Sequence, residues 1–455
     1  MANHFSTKIT KRFIEDSQMR YLQKILSALF LLFLCDFHFT PLSVLIFFYI
    51  NIFPELTFRK TSTVRNKILE DGVYLLELFL VTVIAAPACF LISMWFDKTS
   101  LPDDSSAWLA LLPKLLLWIV SEAILFWNGI LRVYLTSVQL GIKWRIIGIL
   151  CGWIPVVHIW ALCKIIHITS AEVQCENEKY LLNEIRAENR ECQTRYPLLL
   201  VHGVFFRDFR FFNYWGRIPM QLKKNGADIH YGCQQSAASV ANCGKELAKR
   251  IETIVQTTGC EKVNIIAHSK GGLDSRYAIS VCGASPYVAS LTTINTPHRG
   301  CIFADYLLDK IPERVQQRVA RTYNAALSKC GDHDPDFLEA VRDLTASACA
   351  RLNQQLPDDP SIYYQSVGST MNHAVSGRFP LNMSYPLVRH FDGANDGLVA
   401  LDSMQWGSSF IRLQIPEGRG ISHGDMIDLN HENIPGFDVR EFYTGLVKDL
   451  KERGY

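Results

Sequence analysis

Residues 262–273 read Lys262-Val263-Asn264-Ile265-Ile266-Ala267-His268-Ser269-Lys270-Gly271-Gly272-Leu273. The run from Val263 to Ala267 has the length and apolar character of a buried strand, and Gly271-Gly272-Leu273 opens a helix. Ser269 falls on the turn between them. A serine at a sharp strand-to-helix turn is held in a strained conformation with its Oγ exposed, and small residues two places before and after it let the chain turn without collision. Ala267 stands at the first of these places, where glycine is usual; this relaxes the pattern but keeps its steric logic. A five-residue string of this kind is a weak signal alone, and its surroundings decide its meaning.

Those surroundings repeat one pattern. Upstream, Leu198-Leu199-Leu200-Val201 reads as a buried strand ended by His202-Gly203. Gly244 to Thr258 reads as a helix with Leu247, Ile251, Ile254 and Val255 on one face, closed by Gly259. Further apolar runs lie around Ile362 to Val367 and Phe410 to Ile415. Short apolar runs alternating with amphipathic helices from Tyr196 onward predict a parallel α/β sheet. In such a fold the loop after the first strand and the residue after the serine supply backbone N–H groups to one point, here those of Val204 and Lys270. They form an oxyanion hole for the charge that develops on a carbonyl oxygen in a tetrahedral transition state, where losing one donor typically costs about 2.7–4 kcal/mol.

Several separate strings now stand in order: Tyr196-Pro197, Val201-His202-Gly203, Lys262-Val263-Asn264, His268-Ser269-Lys270-Gly271-Gly272-Leu273, Ser275-Arg276-Tyr277, and Leu291-Thr292-Thr293-Ile294-Asn295-Thr296-Pro297-His298-Arg299-Gly300. Together they resemble the bacterial true lipases, the Pseudomonas and Burkholderia type triacylglycerol lipases of the α/β-hydrolase fold. The resemblance covers about residues 196–435 and nothing in residues 1–195.

The resemblance implies a Ser-Asp-His triad in that chain order. Ser269 is the nucleophile. Asn395-Asp396-Gly397-Leu398-Val399 is similar to the family's acid loop, which points to Asp396; Asp392, in Phe391-Asp392-Gly393, is the alternative. Ser422-His423-Gly424-Asp425 follows a strand and a glycine-rich loop and matches the family's terminal His-x-Asp, which makes His423 the base. His268 is then expected to pack beside the turn and His298 to be structural. His373, His390 and His431 lack a flanking motif and read as ordinary surface or satisfied histidines.

In the family a calcium ion braces the loop that carries the catalytic histidine, and Asp425 matches one ligand. The rest of the family site is incomplete. Thr370 to Phe391 contains no Asp or Glu, and the position six after His423 is Leu429 rather than a side-chain oxygen donor. Calcium takes about six to eight oxygen ligands, so no cofactor is expected to be required, with a structural calcium at Asp425 as the alternative. By the resemblance the insertion over 301–360 is the lid or cap over the acyl pocket, with plain helical packing as the alternative for its second helix. Phe303, Leu307, Leu308, Ile311 and Val315 predict one amphipathic segment there, and Asp336 to Leu352 another helix. The aromatic run Phe205, Phe206, Phe209, Phe211, Phe212, Tyr214 and Trp215 reads either as pocket lining or as core.

The first third of the chain has a different character. Of 46 Lys+Arg and 44 Asp+Glu, residues 1–170 hold 15 and 11, so the net charge of +2 divides into +4 there and −2 over the rest. Apolar blocks run from Ile25 to Phe53, Val73 to Phe96, about Ala107 to Leu131, and Ile146 to Cys163. About 20 residues cross the hydrocarbon of a bilayer, so residues 1–170 predict an all-α polytopic transmembrane domain rather than a soluble helical one. The first block, with Asp36, His38 and Pro41 inside it, is long for one span and short for two, and reads as a broken hairpin. The polar, basic start to Lys24 argues against a cleavable signal peptide.

Basic residues Lys8, Lys11, Arg12, Arg20 and Lys24 before the first block, with Arg59, Lys60, Arg65 and Lys67 after it, put both its flanks in the cytoplasm. The acidic loop Asp97, Asp103 and Asp104 then faces outward, and the chain after Lys164 emerges outside; a single span for the first block reverses this parity. Intramembrane Glu77, Lys114, Glu122 and Asp36 are read as helix-pairing groups before any transport path. Residues 171–195 form a charged helical connector, and 196–455 the hydrolase domain.

A hydrophobic content of 49% excludes a disordered chain, and the near balance of charge argues against a nucleic-acid partner. No CxxC occurs among the 13 cysteines, and the seven beyond residue 195 cannot all pair with one another, which fits a mainly reduced protein. The expected partners are a lipid or ester substrate and the bilayer of the cell membrane. The expected activity is a membrane-anchored serine lipase or esterase. An acyltransferase with the same acyl-enzyme, or a transport or sensor protein with a non-catalytic hydrolase-like module, are the alternatives.

Overall fold

A computed structural model of the protein describes residues 18–32, 40–54, 63–96, 105–152, 154–204, 213–329, 332–333 and 335–455. Lys8, Lys11, Arg12, Asp36, His38, Arg59, Lys60, the acidic loop Asp97, Asp103 and Asp104, and the aromatic residues Phe205, Phe206, Phe209, Phe211 and Phe212 lie outside the described residues. The chain divides into two units, Met1–Leu182 and Asn183–Tyr455.

The first unit is helical: α1 (18–32), α2 (Pro41–Ile52), α3 (Val64–Phe96), α4 (Ser105–Thr136), α5 (Gly141–Cys151) and α6 (Pro155–Ala187). Within α3, α4 and α6, the stretches Val64–Cys89, Leu112–Thr136 and Val156–Ala187 are long and apolar enough to cross a membrane. Leu115, Leu116, Ile119, Val120 and Trp127 of α4 and Leu42, Leu45 and Phe48 of α2 stay exposed, an apolar outer surface of the kind that lipid covers. Polar groups gather at a helix junction instead. The buried Glu172 carboxylate accepts hydrogen bonds from Arg65 (2.8 Å), Ser137 Oγ (2.6 Å) and the Gln139 N–H (3.1 Å). Glu77 pairs with Lys24, as a helix-pairing group does.

The fourth apolar block is not one helix. It is cut between α5 and α6, because Pro155 lacks the N–H a continuous helix needs and suits a first helical position. From there α6 runs on without a break into the charged segment expected as a separate connector.

The second unit is a layered α/β structure built on one sheet. Six parallel strands, β1 (Leu198–Val201), β2 (Ile229–Tyr231), β3 (Val263–His268), β4 (Val288–Ile294), β5 (Tyr363–Ser369) and β6 (Ser409–Leu413), lie in the order β2-β1-β3-β4-β5-β6. Alternation along the strands sends side chains to two cores. Leu198, Leu200, Ile266, Ile294 and Val367 pack with Trp215, Tyr443 and Val447 on one face, and Leu199, Val201, Ile265 and Ala267 with Leu247, Ile251 and Ile254 on the other. The last three come from α8 (Val240–Thr258), which begins four residues before the sequence expectation because Ser239 caps it through the Asn242 N–H.

The remaining helices are α7 (Ile218–Lys224), α9 (Lys270–Ser280), α10 (Ile302–Lys310), α11 (Glu313–Lys329), α12 (Phe337–Arg342), α13 (Ala346–Gln355), α14 (Leu381–Asp392), α15 (Leu401–Met404) and α16 (Val439–Glu452). The single helix expected from Asp336 to Leu352 is two, α12 and α13. Thr345 caps the second by accepting from the Ala348 N–H, and this restarts the chain. Strand order reverses at β1, and in open α/β sheets ligands bind outside the carboxyl ends of the strands at such a reversal.

Candidate active site

Ser269 follows β3 directly and stands at the N-cap of α9 with φ 55° and ψ −132°. This is a strained conformation for a residue with a Cβ, of the kind that concentrates at functional sites. Packing holds it there. The Ser269 N–H donates to the Ile294 carbonyl (2.9 Å), and its carbonyl accepts from Thr296 Oγ1 (2.8 Å). The small residues around it are demanded by contact. A Cβ on Gly271 would lie 2.4 Å from the His202 carbonyl oxygen, and one on Gly203 would lie 2.8 Å from the Ser269 Cβ.

Asp396 is fully buried in the turn after α14. Its Oδ1 accepts from the N–H groups of Leu398 (2.9 Å) and Val399 (2.8 Å), which leaves Oδ2 for His423 Nδ1 at 2.6 Å. The backbone adds a second tie, from the His423 N–H to the Asp396 carbonyl at 2.9 Å. Asp392, the alternative acid, does something else: its carboxylate accepts from the Ile302 and Phe303 N–H groups at the start of α10, a helix-capping role.

The serine and histidine follow β3 and β6 at the same edge of the sheet. Among the described residues, no hydrogen bond joins the Ser269 hydroxyl to His423; such bonds are often loose without substrate. His268 lies beside both. Its ring centroid is 4.5 Å from that of His423, and its Nδ1 is 2.7 Å from the Tyr214 hydroxyl. Burial and the neighbouring His423 ring hold the His268 pKa well below the ordinary value, so it is a neutral packing group. His298 is equally buried, with its Nε2 2.9 Å from Thr293 Oγ1 and its ring stacked on Trp406, and burial with Arg276 and Arg299 nearby lowers its pKa in the same way.

The Lys270 N–H is the first orphan donor of α9, and Val204 stands three residues after β1; neither N–H donates to another backbone group among the described residues. The Lys270 side chain turns away into the protein, to Asp274 Oδ1 (2.7 Å) and Cys243 Sγ (3.3 Å). Burial alone would lower its pKa, but Asp274 and Cys243 outweigh that and keep it above the usual lysine value. Cys192, Cys243, Cys301 and Cys349 are buried thiols in no disulfide.

Asp425 does not suit a calcium ion. Its Oδ2 accepts from the Ser422 N–H (2.8 Å) and Oγ (2.7 Å), and its Oδ1 from Arg419 Nη2 (2.8 Å). Leu429 offers only an apolar side chain next to Gly424, and among the described residues no group of three metal-binding side chains gathers anywhere.

Sequence reading missed Asn295, which follows β4. Its Nδ2 donates to Asp396 Oδ2 at 2.6 Å and to Ser369 Oγ at 2.7 Å. A polar amide ending a fully buried strand was the available signal. It also missed Tyr214 as the partner of His268, and Arg419.

Known proteins are similar to this chain. The family model described as "Putative serine esterase (DUF676)" matches residues 230–333. A triacylglycerol lipase of Burkholderia plantarii is 37% identical over 177 residues, 36% of this chain and 49% of its own, and one of Pseudarthrobacter phenanthrenivorans is 37% identical over 177 residues, 36% of this chain and 54% of its own. The chain thus spans about half the length of these two relatives. A triacylglycerol lipase of Pseudomonas fragi is 30% identical over 293 residues, 57% of this chain and 98% of its own. The solved structure of a Staphylococcus hyicus lipase overlays with a TM-score of 0.45 at 17% identity, covering 57% of this chain and 97% of that one. With 98% of the Pseudomonas fragi lipase matched at 30% identity, the chain belongs to the bacterial triacylglycerol lipase family of α/β-hydrolases.

Proposed function

We propose that this chain is a membrane-anchored serine lipase or esterase that cleaves carboxylic esters of long-chain acyl lipids through an acyl-Ser269 intermediate. The observation that carries this is the 2.6 Å bond from His423 Nδ1 to the buried Asp396, set at the sheet edge where Ser269 stands at its strained turn. His423 Nε2 takes the Ser269 proton as Oγ attacks the ester carbonyl, then returns it to the leaving alcohol. Asp396 fixes the ring tautomer and stabilises the imidazolium. The Val204 and Lys270 N–H groups receive the oxyanion. Water then releases the acyl group, and transfer to an alcohol in its place would make an acyltransferase of the same machinery. Residues 301–360 serve as the lid over the acyl pocket.

The anchor is the first unit. Three of its helices are long and apolar enough to span, and the basic flanks of the first block support an extracytoplasmic side for the hydrolase unit. A reporter fused at the C-terminus tests that side, and a cytoplasmic signal overturns it. The chemistry is tested by a fluorophosphonate probe on the full chain in detergent. Labelling at Ser269 is expected, together with loss of ester cleavage in Ser269→Ala. No label on the folded protein, or unchanged cleavage by the variant, rejects the enzyme reading. Product analysis with an added alcohol separates hydrolysis from transfer.

A further inference from the structure

The loop that carries His423 begins with Arg419 between two glycines, Gly418 at φ 85° and Gly420 at φ 73°. Its backbone is pinned to the segment after β5: the Asn372 N–H donates to the Arg419 carbonyl (3.1 Å) and the Ile421 N–H to the Thr370 carbonyl (2.8 Å). From that fixed point the guanidinium makes three contacts. Nη1 donates to the Ser376 carbonyl (2.7 Å), Nη2 donates to Asp425 Oδ1 (2.8 Å), and Nη2 pairs with Glu432 Oε2 (3.1 Å). One cation thereby joins the 370–376 segment to both sides of the turn that starts at His423.

Asp425 passes the constraint on. Its other oxygen holds the Ser422 N–H and hydroxyl, the residue next to the base. Glu432 is also held by Arg378, and Asp428 by Arg217 through Nε (2.7 Å), Nη2 (2.8 Å) and the backbone N–H (2.8 Å). The carboxylates of this loop are thus met by side-chain cations of the chain itself. A planar guanidinium suits this better than an ammonium, since its N–H groups point in several fixed directions at once.

We propose that Arg419 is the built-in cation of the histidine loop: a positioning residue that holds Asp425, Ser422 and Glu432 in place of a divalent ion, so that His423 is set without calcium. This rests on the esterase reading above for its kinetic consequence. Its structural consequence stands alone.

The test uses the full chain in detergent micelles, with Arg419→Gln and Arg419→Lys beside the wild type, each with a calcium chelator or with added calcium chloride. Cleavage of a p-nitrophenyl ester gives kcat and KM, and thermal melting gives the midpoint. The wild type is expected to keep both kcat and midpoint on chelation. Arg419→Gln, by letting the His423 loop shift by about 1 Å, is expected to lose about 100-fold in kcat with KM little changed and to melt earlier, and Arg419→Lys to fall between the two. A wild-type kcat that drops on chelation and returns with calcium overturns the proposal, as does a folded Arg419→Gln with wild-type kcat. Should Arg419→Gln fail to fold, the chelation arm and Arg419→Lys decide, and an Arg419→Lys with wild-type kcat and midpoint counts against it. If the wild type cleaves no ester, the esterase reading fails, while the midpoints still report on the brace.

Discussion

Asn295 and His423 share one acceptor: Asn295 Nδ2 and His423 Nδ1 each lie 2.6 Å from Oδ2 of Asp396. The amide comes from the end of β4 and the ring from the loop after β6, so the carboxylate is oriented from two sides of the sheet edge. Asn295→Ala removes one of them and leaves a buried carboxylate short of a partner, a loss of about 1–3 kcal/mol. A fall in kcat of about tenfold with KM nearly constant is expected in ester cleavage, with a lower melting midpoint. An unchanged kcat would show that His423 and the Leu398 and Val399 N–H groups orient Asp396 without the amide.

The turn at Ser269 stores strain that the fold holds. Glycine adopts φ 55° without the Cβ conflict, so Ser269→Gly relieves about 1 kcal/mol. An inactive variant that melts about 2–4 °C above the wild type is the expected result. A lower midpoint would mean that the serine hydroxyl contributes more than the strain costs.

Space between the two loops is equally exacting. Added to Gly203, a Cβ would meet the Ser269 Cβ at 2.8 Å and the Tyr214 hydroxyl at 2.9 Å. Gly203→Ala therefore displaces the loop that carries the Val204 N–H, and a shift of about 1 Å is enough to cost about 100-fold in rate. Fluorophosphonate labelling should slow in parallel, because the same donors serve both reactions.

Lys270 and Asp274 are a buried ion pair directly behind the turn. Lys270→Met leaves Asp274 uncompensated, which is expected to destabilise by about 3–5 kcal/mol. Adding Asp274→Leu should recover much of that loss. Denaturant melts of the single and double variants measure the coupling, and strictly additive losses would contradict a paired arrangement.

Acid should weaken the second unit through two buried histidines. His268 and His298 are buried with folded-state pKa values below the ordinary one. Below about pH 6.5 the unfolded chain binds protons that the folded chain does not, so stability falls as pH drops, by about 1.4 kcal/mol per pH unit for each group. Their stabilising effect is fully present above that pH. Melting midpoints measured between pH 7.5 and 5, with about 6.5 as the pivot, should decline, and less steeply in His298→Gln.

Much of this was legible in the residues. The buried runs Leu198–Val201 and Val263–His268 and the glycines after each turn announce a parallel sheet with a serine at its edge, because strand length, turn sterics and helix capping are local properties. The apolar blocks of the first third are equally local, and three of them, or parts of them, lie in helices long enough to span. Periodicity could not place the cut before Pro155, where a missing N–H outweighed the apolar run, nor the break at Thr345, where a cap outweighed helix continuity.

What sequence determined by itself was the order of elements and the set of residues able to do chemistry. Only tertiary structure decided which of them meet. Asp392 and Asp396 stand four residues apart, yet one caps α10 and the other receives His423. Asn295 and Arg419 reach the site from β4 and from the loop after β6 through contacts that no spacing encodes. The physical reason is that a hydrogen bond depends on separation in space within about 3 Å, and separation in space between distant residues is set by the sheet register and not by the chain between them.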